Sequence, residues 1–244
     1  MALDQDGPGE LPYYVGKLPI NSMIIIFGAS GGVGQALYSY FLSQKISCIG
    51  TCNSNTTNLD LIKLDITDFE QVNNFISSMK LKNTQLKIIN CVGITDVSPI
   101  HKSNISEWKK VIDINIIGGF NIIKAVLPIM RENCFGKIVH FGSIVTSKPI
   151  FGSSAYITSK SALSGLSKAI NVENMKYNIS STLIHLGYSE LGMIKKVPDA
   201  IRKDIIKNST YKRLCSKEEI IKTVLDILNE NEINENEINL FSGT

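Results

Sequence analysis

The sequence predicts an α/β protein with a single doubly wound parallel sheet and helices on both faces. Three observations predict it. Short apolar runs alternate with longer amphipathic ones along the chain. The first run, residues 23–27, is apolar throughout, as a strand covered on both faces must be. A glycine-rich stretch, Gly28-Ala29-Ser30-Gly31-Gly32-Val33-Gly34, follows it directly. Repeated strand–helix alternation implies parallel strands, and right-handed crossovers make the doubly wound sheet the simplest closure.

Each element has its own warrant. Residues 35–44 read as the first helix and 46–50 as the second strand. Residues 59–64 form a third strand. In residues 68–80, Phe69, Val72, Phe75, Ile76 and Met79 recur at helical spacing,. Residues 86–91 are a fourth strand, and a long helix runs from about 106 to 130. A fifth strand (137–141), a helix (154–173) and a sixth strand (180–185) follow. A helix over 216–229 and a strand over 237–241 close the chain. The Asn/Glu-rich residues 229–238 read as a solvated loop, and no internal repeat is visible.

The chain has 244 residues, 43% hydrophobic and 19% charged, enough apolar material for one substantial core,. Residues 23–244 are read as a single catalytic domain. Residues 1–22 contain Gly7-Pro8-Gly9, Pro12 and Pro19 without an apolar h-region, which argues against a secretory signal,. They read as a flexible leader or expression remnant, with Met23 a candidate start, or as an arm that packs on a neighbour. The net charge of +3 is dispersed, and no basic stripe with interleaved aromatics suggests nucleic acid,. The pairs Lys109-Lys110 and Lys195-Lys196 read as solvated faces. Five cysteines without a Cys-x-x-Cys pair, and three scattered histidines, give no metal site,. No apolar run approaches the roughly 20 residues that span a bilayer, so a cytoplasmic protein is expected.

The glycine stretch suggests a phosphate cradle. Glycine serves where φ is positive or where a phosphate must approach the backbone. The following helix offers unpaired N–H groups and partial positive charge. Gly28, Ser30, Gly31, Gly32, Val33 and Gly34 are therefore candidate dinucleotide-binding residues. Its spacing differs from the common G-x-G-x-x-G. The second strand ends in Gly50-Thr51-Cys52-Asn53-Ser54-Asn55-Thr56, with no Asp or Glu to bind a ribose 2′-OH,. A carboxylate there would repel a 2′-phosphate, so its absence permits NADP, although no Arg or Lys stands there to grip that phosphate. NADP(H) is favoured over NAD(H), with Asn53 the candidate contact.

Tyr156-x-x-x-Lys160 places a phenol and an ammonium on one helix face,. A free tyrosine titrates near 10, and a nearby ammonium is expected to lower that value. The phenol can then donate a proton to a carbonyl oxygen or take one from an alcohol. Ser143 ends the fifth strand, where parallel sheets hold ligands, and can bind the same oxygen. Asn115, inside the long helix, would hold a water linking Lys160 to solvent, or be a plain core amide.

In this order, the residues resemble the short-chain dehydrogenase/reductase family from Met23 to Thr244. Gly28, Gly32 and Gly34 match its glycine motif. Asp65, in Leu64-Asp65-Ile66-Thr67, matches the adenine-contacting position. Asn90-Cys91-Val92-Gly93 is similar to its Asn-Asn-Ala-Gly motif, and Asn115, Ser143, Tyr156 and Lys160 match its catalytic tetrad. Gly50-Thr51, Ser143-Ile144-Val145, Gly165-Leu166-Ser167-Lys168 and Arg213-Leu214 are similar to β-ketoacyl-acyl-carrier-protein reductases. The resemblance implies a Rossmann-like fold and hydride delivery to a carbonyl carbon while Tyr156 protonates the oxygen. It also implies that Lys160 binds the nicotinamide ribose, that Ile66, Asn90, Val92, Gly93 and Gly187 contact the cofactor, and that the protein is a homotetramer or homodimer. The substrate would be a small-molecule or carrier-linked ketone under a lid at 188–214, where Met193, Ile194, Val197, Ile201 and Ile205 stand at near-helical spacing. Two positions depart from the family: Leu186 replaces the Pro before Gly187, and Leu191 a Thr that contacts the carboxamide. They leave open a non-catalytic cofactor-binding regulator, and the same tetrad would also serve an alcohol-oxidising dehydrogenase.

Overall fold

The computed structural model describes residues 19, 21–54, 59–192, 194, 197–209, 211–229 and 236–240. Most of the leader, together with Asn55, Thr56, Met193, Lys195, Lys196 and Phe241, lies outside these residues. In chain order the elements begin with β1 (Ser22–Phe27), α1 (Gly32–Ser43), β2 (Cys48–Cys52), β3 (Ile62–Lys63) and α2 (Phe69–Ser77). Then come β4 (Gln85–Asn90), α3 (Ile105–Ile112), α4 (Gly118–Glu132), β5 (Gly136–Phe141) and α5 (Ser154–Asn174). β6 (Ile179–Leu186), α6 (Asp199–Asn208), α7 (Lys217–Asn229) and β7 (Glu237–Leu240) complete them.

The seven strands form one parallel sheet in the order β3-β2-β1-β4-β5-β6-β7. The order reverses at β1 and β4, and such a switch point opens a crevice at the carboxyl ends of the strands. Side chains of β1 alternate between the faces with the strand period of two. Ile24 and Ile26 join Phe41 of α1 and Val224 and Leu225 of α7 in one core. Ile25 and Phe27 join Val72 of α2 and Ile122 and Val126 of α4 in the other.

The strand and helix assignments hold, with shifts that have physical causes. β2 is two residues later than expected, because Ile46 packs against the core from a loop rather than from the sheet. β3 shrinks to two residues at the sheet edge, where it pairs only with β2. The long helix of 106–130 widens into a π turn at Asp113–Ile117 between α3 and α4. The whole stretch Ile105–Glu132 is long and apolar enough to cross a membrane by length and composition, contrary to the sequence reading. Its inner side chains, Val111, Ile122, Val126 and Met130, are packed inside the protein.

Candidate active site

The crevice at the switch point is a cleft of about 510 Å³. Eight of the expected cofactor residues line it: Gly28, Ser30, Gly31, Asn53, Asp65, Ile66, Val92 and Gly93. Gly28 turns the chain out of β1 with φ +79°, a conformation that a side chain would strain,. A β-carbon on Gly34 would strike the Gly28 carbonyl, so the first turn of α1 lies directly against the loop. The N-terminus of α1 carries no side-chain cap and no acidic residue in its first turn. Its N–H groups and dipole are therefore available to an anion, and the cradle fits a dinucleotide pyrophosphate.

Other expected residues take different places. Gly32 is covered by the backbone of Gly192, which a β-carbon on Gly32 would strike. Val33 packs on the α1/α7 core. Asn90 is buried and accepts a bond from the Val92 N–H at 3.1 Å, which shapes the cleft loop from behind. Gly187 follows β6 and donates its N–H to the Leu240 carbonyl at 2.9 Å. Asp65, which lines the cleft, also caps its own turn, accepting from the Thr67 N–H at 2.9 Å and its hydroxyl at 2.7 Å. Leu186 and Leu191, the departures from the family pattern, pack on the α1/α7 core.

The tetrad converges behind the cleft. Asn115, Ser143, Tyr156 and Lys160 are 2%, 8%, 8% and 4% exposed. Lys160 Nζ donates to the Phe141 carbonyl at 2.7 Å and stands 5.6 Å from the centre of the Tyr156 ring. A β-carbon on Gly93 would lie 3.1 Å from Lys160 Nζ and 3.7 Å from Asn115 Oδ1, so the glycine opens the cleft to both groups. Ser143 hydrogen-bonds Tyr156. Burial pushes the Tyr156 phenol above its usual value, opposed by the Ser143 bond. The sequence reading expected Lys160 to lower it; the lowering contribution comes instead from Ser143, and the loss of solvent outweighs it,. Burial also lowers Lys160 to about 8 and His140, beneath it, to about 4.

Asn115 takes the place of a core amide, the second of its two expected roles. Its amide donates to the Ile94 carbonyl and to Ser159 Oγ, both at 2.9 Å, and its Oδ1 accepts from the Ile94 N–H at 2.8 Å. The side chain is therefore committed to clamping the loop after β4. Ser159 in turn donates to the Tyr156 carbonyl at 2.8 Å, tying the clamp to the catalytic helix. Ser159 and Ile94 were missed; the spacing of 156, 159 and 160 on one helix face was the available signal for Ser159. Lys110 was also missed. It lines the cleft from α3 and is the one cation among the described lining residues. A second cleft, about 340 Å³, lies between the turn after Ser143 and α6, lined by Ile144, Ile150, Tyr188, Ile201 and Ile205 among others.

A family model described as short chain dehydrogenase matches residues 22–202. The chain belongs to that family. This short-chain dehydrogenase is 25% identical over 211 residues to the 3-oxoacyl-acyl-carrier-protein reductase of Salmonella typhimurium, covering 82% of this chain and 86% of the relative. It is 21% identical over 216 residues to the acetoacetyl-CoA reductase of Allochromatium vinosum, covering 82% and 88%. Among solved structures, ligand-free Thermoplasma acidophilum aldohexose dehydrogenase shares its fold, with a TM-score of 0.81, 21% identity and coverage of 91% and 93%. So does ElxO with NADP bound, with a TM-score of 0.81, 22% identity and coverage of 90% and 97%.

Proposed function

We propose that this short-chain dehydrogenase is an NADPH-dependent ketoreductase that converts a β-ketoacyl, polyketide-like or related ketone to a secondary alcohol. The convergence of Tyr156, Lys160, Ser143 and Asn115 behind a dinucleotide-shaped cleft, with Gly93 of that cleft opening onto Lys160 and Asn115, carries the reading. Gly28, Ser30, Gly31 and the N-terminus of α1 hold the pyrophosphate, Asp65 and Ile66 the adenine, and Lys160 the nicotinamide ribose. A nicotinamide held there would supply the hydride that the carbonyl carbon accepts. Ser143 hydrogen-bonds the carbonyl oxygen, and Tyr156 donates its phenolic proton to that oxygen. Burial holds the Tyr156 phenol above its usual value, so the proton it donates in reduction is present at neutral pH,. Lys160, titrating near about 8, can return a proton to Tyr156 at neutral pH.

The names of the two curated relatives support a ketoacyl thioester as substrate, and ElxO with NADP bound supports the cofactor. Exposed Ile117 and Phe120, with Val172 and Met175 at the end of α5, support self-association as a homodimer or homotetramer. We assign the protein to the cytoplasm on the same relatives. The test is a fluorescence titration with NADPH and NADH, followed by acetoacetyl-CoA and a ketone panel. Consumption of NADPH with a ketone is the expected result. Tighter NADH binding overturns the cofactor assignment, and binding without turnover overturns the enzyme in favour of the regulator.

A further inference from the structure

Outside the tetrad, a continuous set of polar contacts runs from α5 through β7 and β6 to the turn that carries Ser143. Glu237 of β7 is its hub. One carboxylate oxygen accepts from Ser164 Oγ at 2.5 Å and Lys168 Nζ at 2.8 Å, both on α5. The other lies 2.8 Å from His185 Nε2. The His185 ring is 8% exposed, and its Nδ1 is 3.5 Å from Thr146 Oγ1. Thr146 binds the Ser143 carbonyl twice, with its hydroxyl at 2.8 Å and its N–H at 3.2 Å. Gly142, beside Ser143, makes room for the ring, since a β-carbon there would stand 3.0 Å from His185 Nδ1.

This arrangement has a directional consequence. Ser143 begins a tight turn, Ile144–Thr146, so its hydroxyl direction depends on how its own peptide is held. Thr146 holds that peptide, and the His185 ring stands against Thr146 Oγ1. A carboxylate on the far ring nitrogen fixes the ring in turn, as an orienting group does for a histidine in other sites. We propose that His185, oriented by Glu237, is a positioning residue that aims Ser143 at Tyr156. The proposal rests on the catalytic reading of Ser143 and Tyr156 above.

The contact it predicts can be read without any substrate. The protein is labelled with tyrosine carrying ¹³C at the ζ carbon, whose chemical shift senses hydrogen bonding at the phenol. The Tyr156 signal is assigned by its loss in Tyr156→Phe. Ser143→Ala is expected to move the signal, and His185→Ala and Thr146→Val to move it in the same direction by at least half as much. Glu237→Gln, which keeps a hydrogen-bonding group, is expected to move it less. A merely structural role lowers Tm in these variants and leaves the signal in place. If Ser143→Ala moves the signal while Thr146→Val and Glu237→Gln do not, the positioning role is overturned and the tetrad stands. If Ser143→Ala does not move it, the Ser143–Tyr156 contact itself fails and both readings fall. Thr146→Val and Glu237→Gln decide the matter should His185→Ala not fold.

Discussion

The floor of the active site and the lid above it use burial in opposite ways. On the floor, Lys160 and Asn115 are almost fully enclosed, and their polar atoms have partners in the sheet, in α5 or in the loop after β4. The lid helix α6 buries none of its residues. It is held at its stems, where the Cys215 N–H donates to the Tyr188 carbonyl at 2.8 Å and the Glu190 N–H to the Cys215 carbonyl at 3.1 Å. Local stability follows buried contacts, so α6 is expected to open at a lower cost than the floor,. On the proposed function, the chemistry belongs to the floor and the choice of substrate to α6.

The largest effect expected on that contrast comes from Tyr156→Phe. Loss of the proton donor should lower kcat at least about 100-fold. Dissociation constants for NADPH and the Tm should stay close to the wild type, because the ring remains. A loss smaller than ten-fold, measured as NADPH consumption with acetoacetyl-CoA, would mean that the floor does not carry the chemistry.

A second substitution tests what burial of the floor costs. Lys160 is pushed to about 8 in the fold against 10.5 for an ordinary lysine, so folding disfavours its charge. That difference corresponds to about 3 kcal/mol, less about 1 kcal/mol for the bond to the Phe141 carbonyl. Lys160→Met should therefore abolish turnover and raise stability at pH 7 by about 2 kcal/mol. The unfolded chain binds the extra proton between pH 8 and 10.5, so wild-type stability rises through that window and the advantage of the variant disappears above it,. Urea unfolding at pH 7 and pH 10.5 measures both ends. A variant less stable than the wild type at pH 7 would show that Lys160 stabilises the fold.

The same contrast separates what was legible in the sequence from what was not. β1, the glycine loop and Tyr156-x-x-x-Lys160 could be read because each is a local pattern with a period or a fixed spacing. The π turn at Asp113–Ile117 could not, since one wide turn scarcely disturbs a helical apolar pattern twenty residues long,. Ser159 and Ile94 meet Asn115 across 44 and 21 residues of chain, a distance that only the packed fold reveals. The direction of the Tyr156 shift was misjudged because spacing shows a neighbouring charge but not the loss of solvent around both groups. α6 was visible only as a loose apolar spacing within the lid, because an exposed helix needs little of the sharp amphipathic pattern that packing demands,.

The cofactor wall offers a more moderate test. Asn53 follows β2 in the cleft with no acidic neighbour at that strand end, and Lys110 lines the same cleft from α3. Asn53→Asp would set a carboxylate where the proposed NADPH would carry its 2′-phosphate. NADPH affinity should fall about ten-fold, about 1.4 kcal/mol, while NADH affinity holds or improves. Equal losses for the two cofactors, read by fluorescence titration, would move the adenosine ribose away from Asn53.

The smallest effect belongs to the lid. Ile205 lines the second cleft with Ile144 and Ile201 and belongs to a helix without buried residues. Ile205→Ser removes apolar surface that only a bound substrate would cover, at a cost of about 1 kcal/mol in binding. KM for a medium-chain 3-ketoacyl thioester should rise about five-fold, and that for acetoacetyl-CoA less, because its shorter chain covers less of the cleft. Stability should change by less than about 0.5 kcal/mol, as for other surface substitutions. A fall in Tm with unchanged KM for both thioesters would reverse the assignment, making α6 part of the packed core and moving substrate choice to the turn after Ser143.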